Sequence, residues 1–382
     1  MSIARLPDLA NAALCPRVIV KVGSSLLVGK DGLRRAWLEA LVGEIAAAKA
    51  RGQEVIVVSS GAIALGAAKL GLAKGGRGNL ADAQAAAAVG QIALSGLWAE
   101  LLEGHGLTAA QLLLTLEDLE DRRRYLNATA TLTRLLDAGA VPVINENDSV
   151  ATQEIRFGDN DRLAARVAQA ARASAVLLLS DVDGLYDRNP ADPAAWRYSI
   201  VYEITPEIKA MADGGSASGL GSGGMTSKLQ AAEIAQAAGI SLAIINGKHV
   251  SPIARAFEGD VGTGTLFLPP SSNKRGGKAR QVWLSGRLRF KGALIIDSGA
   301  ACALAAGSSL LAAGVTSVEG SFLRGDAIVI RDESGSVLAH GLSEYDSSEC
   351  TAIRGRKSSQ HAELLGYAPR SAIVHRDQLV LK

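Results

Sequence analysis

Five stretches of this 382-residue chain hold residue types that could do chemistry together. Lys21 lies near the end of the apolar run RVIVKV and is followed by VGSS, a glycine-bearing turn whose backbone N–H groups can approach phosphate oxygens. SSGAI (59–63) follows a second apolar run, EVIVVSS, and opens a helix, with Ser60 and Gly61 at an end that favours an anion. From Asn145 to Asp161 the chain gathers three aspartates, two glutamates and three asparagines, in the runs NEND and GDND. LLLSD (177–181) puts Ser180 and Asp181 at the end of another apolar run. In GGSASGLGSGGMTSK, six of the eleven residues from Gly214 to Gly224 are glycine, and Lys228 falls in the first turn of the helix that follows. The Lys does not directly follow the second glycine of the G-x-x-x-x-G-K-[ST] pattern, so this is not a Walker A loop.

Each stretch has a plainer reading. Lys21 can be a snorkelling lysine at a strand end, and Ser60 an N-cap. The Asp and Asn residues can be caps and turn formers, and Ser180–Asp181 a turn. The glycine run can be a surface linker. One cap needs one acceptor, however, not eight polar side chains, and a linker seldom runs into a lysine-bearing amphipathic helix in mid-domain. Two lysines, two glycine-bearing turns and an Asp/Asn cluster suit phosphoryl transfer, in which charge on the γ-phosphoryl oxygens must be neutralised and the rest is positioning. These motifs contain no histidine to act as base. A carboxylate nucleophile needs none, being ionised at neutral pH, which points to an acid substrate and an acyl-phosphate product.

The elements that must position these groups can be read from periodicity. Continuous apolar runs at 17–22, 54–60, 141–145, 175–181 and 242–246 predict strands buried on both faces. Helical patterns separate them at about 34–51, 80–104, 122–138, 160–172 and 227–238. This alternation predicts an α/β fold, a three-layer αβα sandwich with a mainly parallel sheet, in which ligands bind at the carboxyl ends of the strands. Near Pro269 the texture changes. PPSSNKRGGKAR reads as a linker, and the pieces ALIID, SVEGSF, DAIVIRD and SVLAHGLS read as a small β-rich domain. The expected division is an N-terminal tail (1–16), a catalytic domain (17–268), a linker (269–280) and a C-terminal domain (281–382).

With 48% hydrophobic residues and a net charge of +2, the chain can bury a large core and lacks the whole-chain field that draws a protein to nucleic acid or anionic lipid. Cys15, Cys302 and Cys350 form neither a disulfide framework nor a zinc spacing. The N-terminus is a poor signal peptide, and no continuous apolar run approaches the ~18–20 residues of a membrane span. The expectation is a cytoplasmic protein with reduced thiols and no membrane partner. DVDG resembles the start of a calcium loop, but Tyr186 stands where that loop needs glycine and Asp192 where it needs glutamate, so calcium is rejected. HRD (375–377) mimics a protein-kinase catalytic loop without the D-F-G that must follow.

Together, KVGSS, VVSSGAIALG, VPVINENDSVATQEIRFGDND, LLLSDVDGLY and SGLGSGGMTSKLQAA closely resemble the glutamate 5-kinases of the amino-acid kinase family, from about Arg17 onward, and the C-terminal segment resembles a PUA domain. The resemblance implies ATP-dependent phosphorylation of the γ-carboxylate of L-glutamate in proline biosynthesis, with magnesium carried mainly on the nucleotide. It assigns catalysis to Lys21, Asp161 and Lys228, with Asp161 orienting the lysines. Glutamate binding falls to Ser60, Asp148 and Asn160. ATP binding falls to Lys21, Ser180, Asp181 and the run Ser222, Gly223, Gly224, Met225, Thr226, Ser227 and Lys228. Asp159 and Glu146 keep the reading of cap and turn. Ser180 departs from the threonine common in relatives but keeps the hydroxyl. The resemblance also implies feedback inhibition by proline and a homo-oligomer, dimer or tetramer.

A PUA-like segment raises a rival reading, an RNA-binding protein. Residues 281–382 carry 11 Lys+Arg against 10 Asp+Glu, and the linker adds four basic residues, a weak footprint for RNA. A sister kinase acting on aspartate, acetylglutamate or a nucleoside monophosphate is a further alternative. The NEND…GDND run and the attached domain favour glutamate.

Overall fold

The computed structural model describes residues 2–29, 32–150, 160–213, 224–259, 262–270, 290–367 and 372–382. It divides into two compact units, one of residues 1–120 and 127–276, the other of 121–126 and 277–382.

The first unit is built on an eight-stranded sheet. Its strands are β1 (Arg17–Val22), β2 (Glu54–Ser59), β3 (Ala109–Leu114), β4 (Val141–Glu146), β5 (Ala175–Ser180), β6 (Ile200–Val201), β7 (Ser241–Asn246) and β8 (Thr265–Phe267). The spatial order is β3-β4-β2-β1-β5-β7-β8-β6, parallel except where β8 runs against β7. The five expected strands are the contiguous middle of this sheet and lie within a residue of their expected ends. Three further strands, β3, β6 and β8, lie towards its edges. The β3 run, AAQLLL, mixes exposed and half-buried positions, and β6 and β8 are two and three residues long. Edge strands bury only part of their surface, so they lack the continuous apolar signature.

Helices cover both faces. The first set includes α1 (Arg35–Ala50), α2 (Ala62–Leu70) and α3 (Leu80–Glu103). Then come α4 (Arg122–Asp137), of which residues 127–137 belong to this unit, α5 (Asn160–Ala171) and α6 (Met225–Ala237). Val18, Val20 and Val22 of β1 join one core with Leu38, Leu41 and Ile45 of α1 and Leu94 and Trp98 of α3. Strand side chains alternate between faces, so Ile19 and Lys21 turn the other way, where α5 packs beside α6 and beneath β1. That alternation is why a lysine can sit inside an otherwise apolar strand. It looks into the helical layer that carries Asp161 and Lys228.

Two features add to the sequence reading. The segment before β1 packs inward: Leu6 and Leu9 join the main core, and Gln53 Nε2 donates to the carbonyls of Leu9 (2.9 Å) and Cys15 (2.8 Å). Helix α3 spans 24 residues and holds an 18-residue window with a mean hydropathy of 1.4, long and apolar enough to cross a membrane. Its hydropathy comes from scattered alanines and leucines rather than one continuous run. Its apolar side is used internally, with Trp98 and Leu102 fully buried.

The second unit holds a five-stranded sheet: β9 (Gly292–Ile296), β10 (Val315–Gly320), β11 (Ala327–Asp332), β12 (Val337–Leu342) and β13 (Leu379–Leu381), in the order β10-β9-β11-β12-β13. The four expected pieces are its first four strands. Helices at Ser298–Ala305 and Ser347–Ile353 were not anticipated. Each starts at an aspartate N-cap, Asp297 and Asp346, which is the signal that could have found them. Leu294, Ile328, Ile330, Phe322 and Tyr345 form its core.

Candidate active site

The site lies at the carboxyl ends of β1, β2, β4 and β5, where a parallel sheet opens into loops. Lys21 is the penultimate residue of β1, in register with Val58 of β2 and Leu178 of β5. Asp161 and Lys228 are in the first turns of α5 and α6. The three side chains meet. Lys21 Nζ is 2.6 Å from Asp161 Oδ1, and Lys228 Nζ donates to Oδ2 at 3.0 Å. Asp161 is fully buried, and each lysine side chain is 8% exposed.

The electrostatics follow from that geometry. Burial opposes the Asp161 carboxylate, but the two ammonium groups outweigh it and hold its pKa below the usual carboxylate value. Burial pushes the Lys21 ammonium below its ordinary value, against the pull of Asp161, and the like charge of Lys228 adds to the fall. One carboxylate thus holds two cations side by side. Lys21 meets it as a close ion pair at 2.6 Å. Gly23 keeps the space beside that ammonium open, since a Cβ there would lie 3.8 Å from Lys21 Nζ.

Ser60 is not a helix cap. The N-cap of α2 is Gly61, at φ +115°, a conformation that requires glycine. The Ser60 hydroxyl instead accepts a hydrogen bond from Asn160 Nδ2 at 2.7 Å. Asn160 opens α5 one residue before Asp161, so a single helical turn serves both the lysines and Ser60. Asn160 Nδ2 also donates to Asn145 Oδ1 (3.3 Å), and Asn145 Nδ2 donates to Gln91 Oε1 (2.7 Å). Asn160 Oδ1 is buried with no hydrogen-bond partner, an acceptor left for a ligand. Asn145 and Gln91, which join this network, were not singled out in the sequence. Asn145 lay inside the polar cluster, whereas nothing local marks Gln91, in mid-α3.

Asp148 lies in the turn after β4. Burial pushes its carboxyl up to about 6, against the opposing pull of Arg77. Ser180 ends β5 and is buried, and its hydroxyl donates to Asp181 Oδ1 at 3.3 Å. Asp181 is exposed and close enough to Lys21 to act on its charge. Gly224 is the N-cap of α6, and Met225, Thr226 and Ser227 precede Lys228 in its first turn. Ser222 and Gly223, like Asp159, lie outside the described residues.

Among the described residues no three His, Cys, Asp or Glu side chains gather as a metal cage. Asp161 is already paired with two lysines.

Sheet order and the lysine–aspartate–lysine centre define the class. A model described as the amino acid kinase family matches residues 16–246, and the chain belongs to that family. A model described as a PUA domain matches residues 292–365. Among similar proteins, the glutamate 5-kinase of Novosphingobium aromaticivorans is 70% identical and covers 100% of this chain and 100% of its own length. The glutamate 5-kinase of Sphingopyxis alaskensis is 60% identical over 97% of this chain and 98% of its own length. That of Zymomonas mobilis is 55% identical over 96% of this chain and 91% of its own length. Within the amino acid kinases, the chain groups with the glutamate 5-kinases. A solved structure described as isopentenyl phosphate kinase is also similar, at 20% identity and a TM-score of 0.43, over 65% of this chain and 99% of that one.

Proposed function

We propose that this chain transfers the γ-phosphoryl group of ATP to the γ-carboxylate of L-glutamate, giving L-glutamyl 5-phosphate in proline biosynthesis. The observation that carries the proposal is Asp161 holding Lys21 and Lys228 at 2.6 and 3.0 Å in a buried site. Two adjacent cations fixed before the substrate arrives suit a transferring phosphoryl group, whose charge spreads over its equatorial oxygens. The attacking γ-carboxylate is already ionised and needs no base.

In this reading Ser60, Asn160 and Asp148 hold glutamate. Asp148 pairs with its ammonium group, and the unpartnered Asn160 Oδ1 accepts a hydrogen bond from it. Ser180, Asp181 and the α6 N-terminus, from Gly224 to Lys228, take the nucleotide; Ser222 and Gly223 extend the same assignment. Magnesium travels on the nucleotide phosphates, as is usual for an ion that keeps most of its water.

The decisive test is hydroxamate trapping with MgATP, hydroxylamine and a panel of acids. Glutamate-dependent acyl hydroxamate is expected. Turnover of aspartate or UMP with none of glutamate would overturn the assignment.

Asp148 adds a pH dependence. With its pKa near 6, the carboxyl of the free protein is protonated below pH 6 and loses its hold on the ammonium group. KM for glutamate should rise up to about tenfold per pH unit below that point, with kcat changing far less. Asp148→Asn should raise KM at neutral pH and flatten the profile, and an unchanged profile in this variant would refute the role. The stability effect has the opposite sign to the usual aspartate. A folded pKa of about 6, raised from 3.8, means the native state binds the proton more tightly, so this group lowers stability as pH rises from about 4 to 6.

The domain division at 17–268, 269–280 and 281–382 belongs to the same proposal, as do proline inhibition, a cytoplasmic location and assembly into dimers or tetramers; family resemblance supports them. For RNA, the near-neutral charge of residues 281–382 supports a structural or regulatory C-terminal domain instead.

A further inference from the structure

We propose that Gln91 is a positioning residue for substrate recognition, acting through Asn145 on the orientation of Asn160; this rests on the assignment of Asn160 and Ser60 to glutamate. The chain of hydrogen bonds has a fixed anchor. The backbone N–H of Glu146 donates to Asn145 Oδ1 at 2.9 Å, and a backbone amide can only donate. That face of the Asn145 carboxamide must therefore be its oxygen, which makes the other face Nδ2. Asn145 is 3% exposed, so its NH2 group needs an acceptor, and Gln91 Oε1 supplies one at 2.7 Å.

The consequence runs on to Asn160. Its group facing Asn145 Oδ1 must be a donor, so Nδ2 is turned towards Asn145 and Ser60. Its Oδ1 is then directed away from both and left buried without a partner. The carboxamide thus presents an acceptor, which suits an ammonium group and repels a carboxylate. The Glu146 N–H and Gln91 Oε1 together hold Asn145 in the rotamer that imposes this choice. Removing its acceptor leaves a buried NH2 unpaired, and Asn145 gains by turning its amide elsewhere. Asn160 could then rotate by 180° and present Nδ2, which has the wrong polarity.

Gln91 sits in α3, outside every stretch with a chemical signature, and touches no reacting atom. Its substitution should therefore change recognition of the amino acid rather than transfer. In the full-length enzyme, Gln91→Leu, close in size but without an acceptor, is expected to raise KM for glutamate about tenfold or more. The kcat and the KM for ATP should stay within about threefold. Gln91→Glu keeps an oxygen for Asn145 Nδ2 and should restore KM to near the parent value. Asn160→Ala is measured alongside. If it leaves KM for glutamate unchanged, the assignment of the binding site fails. If it raises KM while Gln91→Leu does not, the positioning role alone is overturned. Equal losses in kcat and both KM values for Gln91→Leu, unrescued by Gln91→Glu, would also overturn it, since they mark a general packing defect.

Discussion

Replacing Asp161 by asparagine is expected to lower kcat by roughly 10²–10³-fold while leaving KM for glutamate and ATP within a few-fold. Asp161 is fully buried and touches both Lys21 and Lys228, so in the proposed role it acts on the transition state through their position and charge. An asparagine keeps the shape and loses the charge. Two buried ammonium groups then face each other without compensation, and one of them gives up its proton at working pH. The variant should lose further activity as pH rises through that lowered lysine pKa. Asp161→Ala removes the carboxylate outright and should also destabilise the fold by about 3–5 kcal/mol, as when one member of a buried ion pair is deleted. Steady-state kinetics with thermal melts separate the two effects. A change confined to KM for glutamate would sink the role assigned to Asp161. Lys228→Ala should match the kcat loss, since it removes half of the same cationic pair.

The second large effect is structural and comes from a pair of glycines. Helices α2 and α3 cross with their backbones in contact at Gly66 and Gly90. A Cβ at Gly90 would lie 1.7 Å from the Ala62 carbonyl oxygen, and one at Gly66 would lie 1.8 Å from that of Ala86. Neither obstacle is a side chain that can swing aside, so the helices must separate. Ile63, Ala67, Ala83, Ala86 and Ala87, which pack across the crossing, would lose contact. Gly90→Ala should therefore destabilise by about 3 kcal/mol or more, despite adding a single methyl. That corresponds to a Tm lower by roughly 6–12 °C. Gly96 lies six residues along the same helix and has nothing within 4 Å of its would-be Cβ. There the same substitution should stabilise, by up to about 1 kcal/mol, because alanine is the better helix former. Melting curves for the two variants test the contact directly. Equal shifts would mean that the close crossing is not present in solution. The crossing also bears on the site, since α2 begins at Gly61 beside Ser60, and α3 carries Gln91 one residue after Gly90.

Much of this was legible in the chain itself. The five central strands announced themselves because a strand buried on both faces must be continuously apolar, and Lys21 stood out as the exception within one. Lys21, Lys228 and Asp161, which meet in the fold, were visible as charged residues at glycine-bearing turns. Ser60 and Asn160 were legible as candidates but not as partners, because they are 100 positions apart and their hydrogen bond exists only when β2 and α5 are side by side. Gln91 was illegible for the same reason. A single glutamine on a helix has no local signature, and its meaning comes from a neighbour 54 positions away.

By itself, then, the sequence determined the residue types, the alternating layers and the class of chemistry, since these follow from local periodicity and from what phosphoryl transfer demands. Tertiary structure decided which charges meet. Strand alternation turned Lys21 towards α5 and α6 rather than towards α1 and α3, and the first turns of those two helices delivered Asp161 and Lys228 to the same point. Tertiary structure also fixed the direction of each carboxamide. A hydrogen-bond donor or acceptor is assigned by what faces it, and what faces Asn160 is brought there from β2, β4 and, through Asn145, α3 only by the folded chain.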